Sequence, residues 1–266
     1  MEFNNGMVDI GYYIVKPSSN TLKYQIGKVA VEIPINIYVN KEHFVTLFST
    51  PLMIKELVIG YLLAEGIIKS INELTEVKIR NSGVYVTTNV DLSLRLKAAK
   101  MVKIVETACG SIEDFYRLLD RIDKPIVKSD YTINVKELIS MIKELNKNSK
   151  IFNQCGAVHS AAIFYMGKLV AFAEDVGRHN ATDKVIGASA LNNIDFSKCV
   201  LIGTGRQPAS MVLKVARVGI PILISIRGPI HSGVFAAQKT GITYITFTRG
   251  ELRIYSHPER ISLKPT

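Results

Sequence analysis

Cysteine is scarce in this chain. Cys109, Cys155 and Cys199 are odd in number and far apart, which excludes a disulfide framework. No C-x-x-C pair occurs, so a cysteine-based zinc site is excluded too and no metal ligand is assigned. Long apolar runs are also missing. The most apolar stretch, VGIPILISI, is far too short to span a bilayer. The opening residues MEFNNGMVDIGYY lack the basic start and apolar stretch of a secretory signal. A cytoplasmic protein with no membrane partner is the expectation. No repeat, low-complexity tract or nucleic-acid module stands out, and no basic segment is interleaved with aromatics. Nucleic acid is therefore not an expected partner.

What is present is a chain able to fold on its own core. At 266 residues and 47% hydrophobic, it has enough apolar surface for one large or two smaller domains. Its formal charge of +10 favours acidic partners, and phosphate-bearing small molecules fit that balance best.

The first hundred residues read as a mixed α+β unit, and the division expected is 1–105 and 106–266. KVAVEIPINIYVNKEHFVTLFS alternates around Asn40-Lys41 as a hairpin. Pro51 opens a helical pattern that stops near Gly66. VKIRNSGVYVTTNV predicts a second hairpin turning at Asn81-Ser82-Gly83. A helix follows with apolar positions Leu138, Ile139, Ile142 and Leu145, ending in a polar, mobile-looking run. From about residue 151 the rhythm becomes strand, loop, helix, strand. HSAAIFY and LVAFAE flank Met166-Gly167-Lys168 as a hairpin, and CVLIGTG, PILISI, ITYITFT and LRIYS supply further strands. Asn180 is the expected N-cap of the helix between them, with Asp183 three residues on. The alternation predicts a layered α/β sheet with largely parallel neighbours.

Three loops follow three of those strands: EDVGRH, GTGRQP and RGPIHS. On parallel strands they would share one edge of the sheet, where ligands of such folds bind. Arg178, His179, Arg206, Arg227 and His231 would then line one crevice, with helix N-termini behind it adding free N–H donors. That is a site for a phosphate or pyrophosphate. Gly203-Thr204-Gly205 alone is only a tight turn after a strand, because the dinucleotide fingerprint fails at Pro208. His159 reads as a hydrogen-bonded core histidine, and Asp175 and Asp183 as helix caps or partners of the arginines.

Cys109 lies beside Gly110, just before a helix expected to be capped by Ser111. A helix N-terminus favours a thiolate, whereas the nearby Glu106, Glu113 and Asp114 oppose it. Placement alone therefore favours an inert thiol. Cys155 and Cys199 border apolar strands and read as small buried hydrophobes.

Taken in order, VEIPINIYVN, STPLMIKELVIGYLLAEGII, TACGS, FNQCGAVHSAA, EDVGRHNATDKVIG, TGRQPASMVLKVARVGIPI and FTRGELRIYS resemble one known family almost end to end. It is the formate dehydrogenase accessory protein family, the FdhD/NarQ sulfurtransferases. EDVGRHN followed by DKVIG is highly specific to it. The resemblance implies a three-layer α/β/α fold like that of cytidine deaminases, with a smaller N-terminal α+β domain. The likeness to deaminases would be one of fold only, since the H-x-E and P-C-x-x-C ligand set is absent.

The resemblance also implies a function. Such a sulfur carrier takes sulfur from a cysteine desulfurase and passes it to the molybdenum or tungsten bis-molybdopterin guanine dinucleotide destined for formate dehydrogenase. Members of the family are usually homodimers. Cys109 matches the persulfide-bearing cysteine, and Phe247, Thr248, Arg249, Gly250, Glu251 and Leu252 match the cofactor-binding segment. Arg178, His179, Asn180, Gly205, Arg206 and Arg227 would complete a crevice for the cofactor or GDP-like ligands.

Some positions depart from the family pattern. Ile112 stands where the second loop cysteine is usual, although an alignment making Cys109 that second cysteine is also available. Cys155 and Ala157 replace Thr and Gly, Pro208-Ala209 replaces a polar pair, and RGPIHSG replaces a Ser-containing segment. The missing cysteine keeps a second reading open, a chaperone that shelters the cofactor without transferring sulfur. A hydrolytic Cys–His pair is a minor third.

Overall fold

The computed structural model describes residues 5–18, 21–80, 83–97 and 125–263. Cys109, the helix expected after it and the turn residues Asn81 and Ser82 lie outside the described residues.

The chain begins with a hairpin of β1 (Met7–Val15) and β2 (Leu22–Ala30), which pairs with no other strand among the described residues. Lys28–Ala30, expected to open the next hairpin, instead close β2. The expected Asn40-Lys41 hairpin is β3 (Ile33–Val39) and β4 (Glu42–Ser49). Both turn residues have positive φ, 49° and 76°, the twist a two-residue hairpin loop needs. β5 (Leu74–Arg80) and β6 (Gly83–Thr88) form the second expected hairpin, and β6 runs parallel to β3. The resulting sheet has the order β4-β3-β6-β5.

Helix α1 (Ile54–Ala64) begins three residues after Pro51 because Met53 sits at φ 54°, outside any right-handed helix. It ends where expected, with Gly66 at φ 71°. β7 (Ile133–Asn134) leads into α2 (Val135–Asn148), capped by a reciprocal pair in which Asn134 accepts from the Glu137 N–H and Glu137 from the Asn134 N–H. The polar run after α2 is not loose: Lys150–Cys155 forms the short helix α3. Cys155 therefore ends a helix rather than bordering a strand.

The larger sheet has the order β13-β12-β11-β10-β8-β9. Its strands are β8 (His159–Tyr165), β9 (Lys168–Asp175), β10 (Cys199–Gly203), β11 (Ile222–Ser225), β12 (Thr243–Thr248) and β13 (Glu251–Ile254). Only β10, β11 and β12 are parallel neighbours. The expectation of a largely parallel sheet is thus corrected to a mixed one, because hairpins supply β8–β9 and β12–β13. Antiparallel steps on both sides of β8 still leave β9 pointing the same way as β10.

Helices α4 (Arg178–Leu191), α5 (Ala209–Arg217) and α6 (His231–Thr240) connect these strands. Two apolar clusters lie on the sheet's two faces. Ile163, Leu201, Leu223 and Tyr244 face a core shared with α4, α5, α6, α1 and the smaller sheet. Phe164, Val200, Ile202, Ile224 and Ile245 face Leu138, Met141, Ile142 and Leu145 of α2.

The expected apolar stripe on α4 is too narrow a description. Every residue from Asn180 to Gly187 is buried, because α4 lies between the sheet and α1. Glycine makes that possible. A Cβ on Gly60 would lie 1.7 Å from the Asp183 carbonyl oxygen, and one on Gly187 would lie 1.9 Å from that of Glu56. No helix among the described residues is long and apolar enough to cross a membrane.

Candidate functional site: basic loops at one sheet edge

The charges packed into FAEDVGRHNATDKVIG divide into a buried frame and an open remainder. Asp175, fully buried at the end of β9, accepts from Ser49 Oγ (2.6 Å), the Thr50 N–H (3.1 Å) and Lys184 Nζ (2.5 Å) through one oxygen. Its other oxygen accepts from the Gly177 N–H (2.8 Å) and Asn180 Nδ2 (3.0 Å). Five donors satisfy one carboxylate, and they tie β4 to the start of α4. Asn180 spends its amide hydrogens on Asp175 and the Phe48 carbonyl (2.7 Å). The helix begins at Arg178, so Asn180 lies within its first turn and is not the N-cap; Gly177 holds that place.

Asp183 is not a cap either. It pairs with Lys214 of α5, which also meets Glu65 at 3.0 Å. Burial pushes Asp183 up to about 6 against the pull of Lys214. Burial opposes the charge on Lys214, but Asp183 and Glu65 outweigh it and hold its pKa above the usual lysine range. Glu174 accepts from the Ile151 and Phe152 N–H groups at the start of α3. The acidic residues of the corner therefore pair with lysines and backbone, not with the arginines.

The basic residues are left for the edge. His159 pairs with Asp175, Gly203 pairs with both Ala161 and Ser225, and Ser225 pairs with Thr246. The ends of β9, β10, β11 and β12 thus share one edge with the start of β8. The three loops anticipated from the sequence emerge together there.

Arg178 lies across Gly205, where an added Cβ would fall 2.7 Å from its Cβ and 2.8 Å from its Cδ. The buried Nε of Arg178 has no hydrogen-bond partner among the described residues. The Gly205 carbonyl is fixed by donation from Gln207 Nε2 and Ser225 Oγ, both at 3.0 Å. Ser225 Oγ in turn accepts from the Arg227 N–H at 3.1 Å. Gln207 Oε1 is likewise buried without a partner among the described residues. Such orphaned polar atoms are rare in folded proteins, and these two find no partner among the described residues.

His159 lies between two of the loops. Its Nδ1 is 3.3 Å from Thr204 Oγ1, which also accepts from the Ser160 N–H. Burial lowers its pKa, and the nearby Arg178 and Arg227 lower it further, with Asp175 opposing. The default reading of a core histidine missed this position, since an apolar strand start gives no sign of which loop will fold beside it.

The remaining predicted residues divide clearly. His179 turns toward α5, with Nε2 3.5 Å from Ser210 Oγ, and burial, helped by Lys214 and Arg178, pushes it down to about 4. Arg206 and Arg227 are exposed at their loops, as is His231 at the start of α6. Phe247 pairs with Leu252 and Thr248 with Glu251 around Arg249 (φ 55°) and Gly250 (φ 79°). The Glu251 carboxylate is engaged by Arg253 at 2.8 Å. This turn shares the sheet edge one strand beyond Arg227. Cys199 is buried and its thiol is pushed up to about 12, which suits a packing role. Among the described residues, no three His, Cys, Asp or Glu side chains gather to hold a metal ion.

Fold and edge together define an α/β protein with basic loops gathered at one sheet edge. A sequence model of the FdhD/NarQ family matches residues 30–262, and the chain belongs to that family. It is 31% identical over 250 residues to "Sulfur carrier protein FdhD" of Bacillus licheniformis, covering 93% of this chain and 95% of that one. It is 33% identical over 260 residues to the protein of the same name from Staphylococcus aureus, covering 97% and 98%. A crystal structure of a putative formate dehydrogenase accessory protein from Desulfotalea psychrophila superposes with a TM-score of 0.76 at 26% identity, over 96% of this chain and 99% of that one.

Proposed function

We propose that this chain is a cytoplasmic sulfur carrier for the maturation of formate dehydrogenase. In this reading the crevice receives the guanine-dinucleotide phosphates of the molybdenum or tungsten bis-molybdopterin cofactor, which is the protein's cargo. Family membership and relatives called sulfur carriers support the reading. The observation that carries it is the placement of Arg178, its buried Nε unpartnered among the described residues, over Gly205 and beside the same histidine as Arg227. Arg206 and the Arg249 turn would add charge from the rim, and GDP would serve as a minimal ligand. A cytidine-deaminase-like layering of the 106–266 unit and a homodimer belong to the same proposal.

Sulfur chemistry falls to Cys109. Its thiolate attacks the outer sulfur of a desulfurase persulfide, the donor's S–S bond breaks, and the donor leaves as a thiolate while Cys109 becomes the persulfide. Incubation with a cysteine desulfurase and cysteine should therefore add one sulfur to the peptide bearing Cys109. A wild-type protein that takes up no sulfur there would refute the carrier role.

Ile112, at the position of the family's second cysteine, favours one competitor: a chaperone that binds the cofactor without handling sulfur. That reading requires Cys109→Ala to support formate dehydrogenase maturation. Loss of maturation with GDP binding retained would eliminate it.

A further inference from the structure

The β1–β2 ribbon exposes more apolar surface than any other part of the described chain. Tyr13, Val15, Leu22, Tyr24 and Ile26 are 56–68% exposed. The register places them on one face, with Tyr13 opposite Tyr24, Val15 opposite Leu22 and Ile26 opposite Gly11. Tyr13 and Tyr24 meet edge-to-face at 5.4 Å. Tyr24 also lies over Gly11, where a Cβ would be 1.9 Å from its hydroxyl. The side chains therefore form one continuous patch.

A two-stranded ribbon is marginal alone in water, and apolar patches of this size on a soluble protein mark an interaction site. From Gly11 outward this face carries no charge, since Lys23 is paired with Ile14 on the other face. Nearer the base, Asp9 and Lys28 neutralise each other at 2.8 Å. We propose that this ribbon is an interface arm whose Tyr13–Tyr24 face packs against the same face of a second copy of this chain.

Area and charge favour that occupant. The five side chains would bury roughly 600 Å² per copy, so two copies would bury about 1,200 Å², the lower bound of a stable interface. Ile10, Tyr12 and Val29, 42–47% exposed, lie on the opposite face and stay outside this contact. An acidic partner would find no cation on the face to pair with. A two-fold axis through an uncharged patch needs none, because the patch is its own complement. The arm assigns a face to the homodimer of the functional reading and rests on that part of it. Sulfur transfer and GDP binding can fail independently.

Sedimentation of the full chain across a micromolar range tests the proposal. Wild type should run as a dimer of the 29.5 kDa chain. Tyr13→Ser and Ile26→Ser should each weaken dimerisation by at least about tenfold, the loss of one buried anchor. Ile10→Ser, on the other face, should have a smaller effect. Each copy carries +10, so added salt should tighten the dimer by screening repulsion, whereas contact with an acidic partner would loosen. Tyr13→Cys should cross-link to itself under mild oxidant above the wild-type background, which keeps the test valid if a serine variant folds poorly. A monomeric wild type would overturn the proposal, as would a dimer indifferent to both serine variants and uncrosslinked at Tyr13→Cys. Protection of the arm from hydrogen exchange only when a different protein is added would overturn it as well, and would assign the face to that partner.

Discussion

The Arg178 side chain rests on Gly205, two turns from different strands meeting where a Cβ would leave only 2.7 Å. Gly205 is thus a seat for the guanidinium, and it has no positive φ that would otherwise demand glycine. Gly205→Ala should displace Arg178 without unfolding the protein. A charge-assisted hydrogen bond contributes about 1.5–3 kcal/mol, so GDP affinity should fall roughly ten- to a hundredfold. Calorimetric titration checks the affinity, and an unchanged melting temperature separates it from general damage.

Asp175 should matter far more for stability. Its removal would strand Lys184 in the interior, a cost of about 3–5 kcal/mol for a broken buried pair. Asp175→Ala should therefore lower the denaturation free energy by that order. Asp175→Ala combined with Lys184→Met should recover a substantial part of the loss, because no charge is then left unpaired. Urea unfolding of the single and double variants measures both effects.

His179 makes stability pH-dependent. Its folded pKa, about 4, lies below the unfolded value of 6.5. A base with a depressed folded pKa contributes stability above the unfolded pKa and loses it as pH falls toward the folded one. Between pH 6.5 and 4 the loss should be on the order of 2–3 kcal/mol. Relative to His179→Gln, wild type should lose that amount over this window and nothing further above it. Parallel pH titrations of unfolding free energy would show it.

The α1–α4 contact should tolerate no side chain. A methyl group at Gly187 would meet backbone of Glu56 at 1.9 Å, which no rotamer change relieves. Gly187→Ala should destabilise by about 3 kcal/mol or more. A thermal shift near zero would argue against so close a crossing.

Local periodicity made the hairpins legible. Asn40-Lys41 and Met166-Gly167 turn where polar or glycine residues interrupt alternation, and Gly66 and Gly241 end helices in the left-handed conformation. Topology was only partly legible, since β9 reaches the common edge through two antiparallel steps and not by direct parallel pairing. The arginines were found because each follows a strand. Long-range partners were hidden: nothing local to Asp175 indicates that Ser49, Thr50 and Lys184 will surround it, and so Asn180 read as a cap. Gly60 and Gly187 likewise acquire meaning only when their helices cross.

The most direct test of the crevice is a titration of GDP into wild type and into the Arg178→Ala, Arg227→Ala double variant at two salt concentrations. If both basic loops grip one anion, wild type binds saturably, added salt weakens binding, and the double variant loses roughly a hundredfold in affinity. Equal affinity in the two proteins, or no binding by wild type, would contradict it.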